Sequence, residues 1–260
     1  MAGSLHLAQA ATPVGGFVAG TWTPFGSPYL VTNDVSAVNL TILPGVEVCF
    51  QGPYVFEVTG ILRASGTENH HIVFTNAEVG WNGIFFNMCD PSSFLSFCDV
   101  FGSTNSGIRI KDTAPRLTDC LIASNSAPRC GGGILASNGA LRLELSGCTI
   151  RDNRSNPTGS GGGYGGGVYV VGDASFVNCT ISSNLCRGTY WFSVEGAYAR
   201  GGGIYANSNH ITLRNCTITG NTALSTDVGN DFNTQGGGIH LESGVLELVQ
   251  SATDGNGAAF

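Results

Sequence analysis

The sequence predicts an all-β chain wound as a right-handed parallel β-helix, a single-domain solenoid. Three observations carry that expectation: a repeat with one fixed internal offset, period-2 alternation inside each repeat, and a composition rich in glycine and poor in charge.

The repeat is clearest in four segments: 131–153 (GGGILASNGALRLELSGCTIRDN), 165–184 (GGGVYVVGDASFVNCTISSN), 201–221 (GGGIYANSNHITLRNCTITGN) and 236–256 (GGGIHLESGVLELVQSATDGN). Looser copies occupy 83–103 and 107–125. The apolar residue after the glycines falls at Ile84, Ile108, Ile134, Val168, Ile204 and Ile239. A later position is Cys98, Cys120, Cys148, Cys179, Cys216 and Ser251, and five residues beyond each stands Ser103, Asn125, Asn153, Asn184, Asn221 and Asn256. That last offset never changes, whereas the distance to the next glycines does. One part of each rung is therefore fixed and another part is free to loop out, as in solenoids. Leu141, Leu143 and Leu145, like Ile211 and Leu213, alternate with the strand period of two. Right-handedness follows from the preference of crossover connections between parallel strands.

The composition agrees. The 260 residues include 39 Gly, and only 11% are charged. Glycine weakens helices, and abundant apolar residues with little charge argue against disorder. The net charge of −7 and the single lysine, Lys111, leave no basic stripe for nucleic acid. No apolar run is long enough to span a bilayer, so no transmembrane segment is expected. Residues 1–28 read as an N-terminal segment, either a cap or a signal remnant. Ala8-Gln9-Ala10 has the small-x-small form of a cleavage site, but no basic n-region precedes it. Residues 29–256 read as the β-helix, with 40–50, 54–62, 72–75 and 81–86 as less regular early rungs. Residues 257–260 read as a truncated end within a longer chain.

Two ladders have a physical cause. Asn125, Asn153, Asn184, Asn221 and Asn256 should stack at a buried bend, bonding one another and the backbone. Asparagine also tolerates the left-handed conformation of such bends. Cys98, Cys120, Cys148, Cys179 and Cys216 read as a column of small, soft core residues. Their Cβ atoms would lie about 4.8 Å apart, beyond the roughly 3.8 Å of a disulfide, so they should stay reduced. Cys130 and Cys186 flank insertions and could pair. No Cys-x-x-Cys spacing suggests zinc, and no metal site is expected.

These units resemble the pectate-lyase-like right-handed β-helix superfamily over roughly 29–256. More narrowly, they are similar to secreted bacterial repeat proteins with "NCTISxN…GGGIY" units; the polymorphic outer-membrane proteins are a looser relative. The resemblance implies the fold and a place outside the cell or on its surface. It leaves function open, because the superfamily includes lyases, hydrolases, epimerases, adhesins and passenger domains.

Catalytic residues are not identifiable. Arg109-Ile110-Lys111 matches a polygalacturonase triplet, but the Asp-Asp and Gly-His-Gly partners are absent and Arg109 fills an ordinary strand slot. Asp99, Asp119 and Asp152 fall at different rung positions, which weakens a Ca²⁺-dependent lyase reading. Asp227, Asn230, Asp231 and Asn233 offer Ca²⁺ its best chance as a cofactor, with a solvated loop the favoured reading. The Thr149, Thr180 and Thr217 column suggests ice binding, but it has few members and Arg151 flanks it. The insertions at 154–164, 185–200 and 222–235 should emerge on one side. The middle one carries Tyr190, Trp191, Glu195, Tyr198 and Arg200, a set suited to sugar or protein contact. The leading expectation is a non-catalytic surface module, an adhesin or carbohydrate-contacting scaffold whose partner is a polysaccharide or cell-surface ligand. The alternative is a lyase or glycoside hydrolase acting on an acidic polysaccharide.

Overall fold

The computed structural model describes residues 11–137, 142–156, 161–188, 198–225 and 234–259. Each coil contributes three strands, A, B and C, to one continuous parallel sheet. Ladder A stacks 35–37, 56–58, Ile84–Asn87, Ile108–Lys111, Ile134–Ser137, Val168–Val171, 204–207 and 239–241. Ladder B includes Phe94–Ser96, Arg116–Thr118, Leu143–Ser146, Ala174–Val177, 211–214 and 246–249. Ladder C includes Ile72–Asn76, Cys98–Phe101, Leu121–Ala123, Thr149–Arg151, Thr180–Ser182, Thr217–Thr219 and Ala252–Asp254. Alternation sends one set of residues inward. Ile108, Ile134, Val168 and Ile204 of ladder A meet Leu117, Leu145, Phe176 and Leu213 of ladder B and Ile122, Ile150, Ile181 and Ile218 of ladder C, all buried. Each such side chain stabilises the fold by about 1.5–3 kcal/mol relative to exposure.

Pairing reaches the ends of the described chain. Thr12–Trp22 pairs in parallel with Tyr29–Ile42, so a coil lies within residues 1–28, of which 1–10 are outside the described residues. Gly257–Ala259 pairs with Thr222–Ser225. Among the described residues no helix is long and apolar enough to cross a membrane.

Left-handed residues turn the corners. Between B and C they are Phe97, Asp119, Gly147, Asn178, Asn215 and Gln250, with φ from +48° to +66°. After C they are Gly102, Ser124, Asp152, Ser183, Gly220 and Gly255, with φ from +55° to +70°. The second set corrects the expectation for the Asn ladder: the left-handed residue precedes the ladder Asn. The Asn itself is freed to point inward. Asn184 Nδ2 donates to Ile150 O at 2.9 Å and to Asn221 Oδ1 at 2.9 Å, while its Oδ1 accepts from the N–H and Nδ2 of Asn153 at 3.0 Å each. The same pattern links Asn125 to Asn153 and Asn221 to Asn256. Ser103 N–H donates to Asn125 Oδ1 at 3.0 Å. The ladder also explains the third glycine of each triplet. A Cβ on Gly167 or Gly203 would sit 2.9–3.0 Å from the side chain of Asn184 or Asn221.

The ladder cysteines occupy successive coils at the start of strand C, and all are buried free thiols. They are more than filling. Cys216 Sγ contacts Phe176 O at 3.4 Å and Arg214 O at 3.3 Å, and Ser251 Oγ in the next coil makes the equivalent bonds to Leu213 O and Val249 O. The position demands a small donor for strand-B carbonyls.

The insertions are narrower than the sequence suggests. Arg154–Ser155, Leu185–Gly188 and Thr222–Ser225 form a ladder D with Ser126–Ala127 and Gly257–Ala259, and Gly163–Tyr164, Ala199–Arg200 and Thr234–Gln235 form a ladder E. Their inward residues are small, with Cys186, Ala199 and Ala223 forming a separate buried cluster. D and E are thus parts of the coil.

Candidate binding face

The outward side of ladder A carries a linked group of aromatic side chains. Val168 and Val170 face the core, so Tyr169 faces out, and the register Leu135–Tyr169–Tyr205–His240 makes one column. Tyr169 and Tyr205 stack at 5.1 Å with an interplanar angle of 3°, and Tyr205 and His240 at 5.4 Å and 15°. Ladder E brings a second face alongside. It runs directly into the Gly triplets, whose first members Gly165, Gly201 and Gly236 have φ of +61° to +69°. The sharp bend sets Tyr164 edge-on to Tyr205 at 5.2 Å and 72°.

A polar clasp closes the group. Glu242 Oε2 accepts from Arg200 Nη1 at 2.9 Å, lies 3.0 Å from His240 Nε2, and accepts from Tyr205 OH at 3.4 Å. The Arg200 guanidinium lies 4.9 Å over the Tyr198 ring. The His240 hydrogen bond, with Arg200 adding to it, holds the Glu242 carboxyl below its ordinary value. Burial, reinforced by Glu242, pushes the Tyr205 phenol up to about 12. Burial likewise raises Tyr164 and Tyr169. At neutral pH these phenols are protonated hydrogen-bonding groups on rigid apolar bodies rather than bases.

Of the sequence candidates, Tyr198 and Arg200 belong to this face, while Tyr190, Trp191 and Glu195 lie outside the described residues. Tyr164, Tyr169, Tyr205, His240 and Glu242 were not singled out by the sequence reading. The signal was present: the residue after Gly-Gly-Gly-Ile/Val is Tyr, Tyr, then His in consecutive repeats. The acidic candidates do not converge. Asp99 meets His71 at 2.8 Å on ladder C, Asp119 turns the B–C corner and Asp152 the corner after C. Among the described residues no group of three His, Cys, Asp or Glu could hold a metal ion; Asp227, Asn230, Asp231 and Asn233 lie outside them. Cys130 and Cys186 are both free, their thiols pushed by burial up to about 11 and about 12. Thr149, Thr180 and Thr217 are in register on ladder C, but Leu121 and Ala252 bound the column.

No curated protein and no solved structure matches the chain. The family described as a right handed beta helix region matches residues 56–186, just over half of the chain. With coils, corner residues and this match in agreement, the chain belongs to the right-handed β-helix family.

Proposed function

We propose that the chain is a non-catalytic module, acting outside the cell or on its surface, that contacts an extended polysaccharide along the outer face of ladder A. One observation carries this reading: Tyr169, Tyr205 and His240 form a column in register with the coils, clasped by Glu242 and Arg200. The column repeats at the coil spacing of about 4.8 Å. An extended β-1,4-linked glycan advances by a similar step per sugar, so successive sugars would meet successive coils. The rings stack face to face and Tyr205 is buried, so the column would meet a sugar with its outer edges and polar tips. In this reading Tyr190, Trp191 and Glu195, which precede Tyr198 and Arg200 in the chain, add to the contact.

A glycan array with the parent, Tyr169→Ala and Trp191→Ala tests it. The parent should bind at least one extended polysaccharide, and both variants should bind it about tenfold more weakly while melting like the parent, the loss expected when an aromatic contact goes. Release of products from a polyuronate in the presence of Ca²⁺ would replace this reading with the lyase or hydrolase one.

A further inference from the structure

A shallow depression of about 260 Å³ lies on the outward side of ladder B, a different ladder from that of the aromatic column. Leu117, Leu145 and Phe176 point into the core there, so Arg116, Thr118, Glu144, Ser146, Ser175 and Val177 point out around it. It covers two coil steps and two outward positions of each strand, roughly 10 Å by 7 Å. Its shape follows from the side chains: Thr118, Ser146 and Ser175 are short, whereas Arg116 and Glu144 are long and exposed. One step above Ser175 the face closes, because Arg142 Nη2 donates to Thr212 Oγ1 at 3.4 Å and Thr212 is buried. Arg116 and Glu144 stand in register on neighbouring coils. Their charges are opposite and their backbones are about 4.8 Å apart. Among the described residues, however, neither side chain enters an ion pair or a hydrogen bond. Both charged tips are therefore available at the rim.

We propose that this depression is a second saccharide site, separate from the ladder A face, that takes one neutral pyranose lying flat on the sheet. A carboxylate accepts from two neighbouring hydroxyls at once, and a guanidinium donates to ring or hydroxyl oxygens. Glu144 and Arg116 supply one of each across a single coil step. Thr118, Ser146 and Ser175 add hydroxyls that donate or accept, and Val177 gives the C–H face of a ring an apolar contact. The two opposite charges select a neutral ligand: an anion drawn to Arg116 is repelled by Glu144, and a cation meets the reverse. The footprint matches one ring rather than an extended chain. The site therefore suits a terminal or branching sugar, whereas ladder A suits an extended polysaccharide, and one molecule would hold both at once. The assignment does not depend on the ladder A reading.

Methyl glycosides of the common neutral hexoses, titrated into the parent, Arg116→Ala, Glu144→Gln and Tyr169→Ala and followed by NMR, test this. Arg116 and Glu144 are exposed, so their variants should keep the parent's melting temperature. At least one glycoside should shift the amide resonances of Glu144, Ser146 and Ser175 in a saturable way. Arg116→Ala and Glu144→Gln should each weaken its binding about tenfold, the loss expected of a hydrogen bond to a charged group. Tyr169→Ala should bind it like the parent. High salt should leave the affinity within about twofold, because screening acts on charged partners. The site is overturned if no glycoside shifts these resonances, or if the shifts fall on ladder A and vanish in Tyr169→Ala. It is equally overturned if Arg116→Ala and Glu144→Gln bind like the parent, or if high salt weakens binding about tenfold, which marks a charged ligand. A failed glycan array on ladder A leaves this site standing, and failure of this site leaves ladder A standing.

Discussion

A single Asn in this fold does the work of a corner brace. Asn184 joins the coil before it to the coil after it through both ends of its amide, and it occupies the space where a Cβ on Gly167 would go. Replacing Asn184 or Asn221 by Ala strands buried donors and acceptors and should cost about 1–3 kcal/mol or more. Asn207 is exposed, and among the described residues its Oδ1 accepts from Ser243 Oγ alone, so Asn207→Ala should stay within about 0.5 kcal/mol of the parent. Chemical denaturation of the three variants checks this, and equal midpoints would remove the ladder from the account. The ladder thiols behave alike. Hydrogen bonding with Cys148 and burial push the Cys179 thiol up to about 12, and burial raises Cys120. Native protein should leave the five ladder thiols unreactive to a thiol reagent, and unfolding without reductant should expose them all as free thiols. Glu242 provides a pH test. Its folded pKa lies below the ordinary 4.5, so the clasp is fully present above that value and is lost as pH falls through the folded value. Because the carboxylate is largely exposed, its effect on global stability is small. The readout is local: the Tyr205 and His240 ring resonances should shift together below pH 4.5, and glycan binding should weaken with them.

At the scale of elements, the strands of ladders A, B and C were legible because alternating apolar residues and a constant Cys-to-Asn offset leave one register that buries them. Ladders D and E were not. They are strands of two to four residues whose inward side chains are Ala, Ser, Cys, Gly or Thr, and such short, small-residue segments show no hydrophobic period. The Asn ladder was legible as a column, but the left-handed residue was placed one position late, since Ser124, Asp152 and Ser183 carry no glycine signal. The aromatic column was missed because outward strand positions ordinarily face solvent, and only stacking distances distinguish a held ring from a free one. A loop experiment separates the elements. Replacing residues 189–197 with a Gly-Ser linker removes no described strand and should leave the melting temperature close to the parent's. Replacing 185–200 deletes Leu185–Gly188 and Ala199–Arg200 together, opening ladders D and E in mid-stack. That variant should melt several degrees lower, as expected for a loss of 1–2 kcal/mol or more. Identical melting of the two would mean that D and E contribute nothing to the coil.

For the whole molecule, stacking of like on like makes the coil the unit of both stability and recognition. Strand pairing joins each coil only to its neighbours, with Arg142 Nη2 reaching Thr212 Oγ1 two coils on at 3.4 Å as a side-chain exception, so stability approximates a sum of coil and interface contributions. Excising Val168–Gly203 joins Gly167 to Ile204 and removes one complete turn of the solenoid. Every new neighbour is of the kind it replaces. Ile134 would face Ile204, Leu145 would face Leu213, Thr149 would face Thr217, and Asn153 would donate to Asn221 where it now donates to Asn184. The shortened chain should fold with the parent's circular dichroism per residue and unfold with a smaller denaturant slope, in proportion to the surface it no longer buries. An unfolded product would show that stability is not distributed coil by coil. The same excision acts differently on the binding face. It removes Tyr169, Tyr198 and Arg200 and leaves Tyr205, His240 and Glu242 without their stacking ring and guanidinium. Glycan binding should therefore fall by about tenfold or more even though the fold persists, the loss expected when several contacts of one cluster go together. Undiminished binding by the folded, shortened chain would place the contact surface away from ladder A.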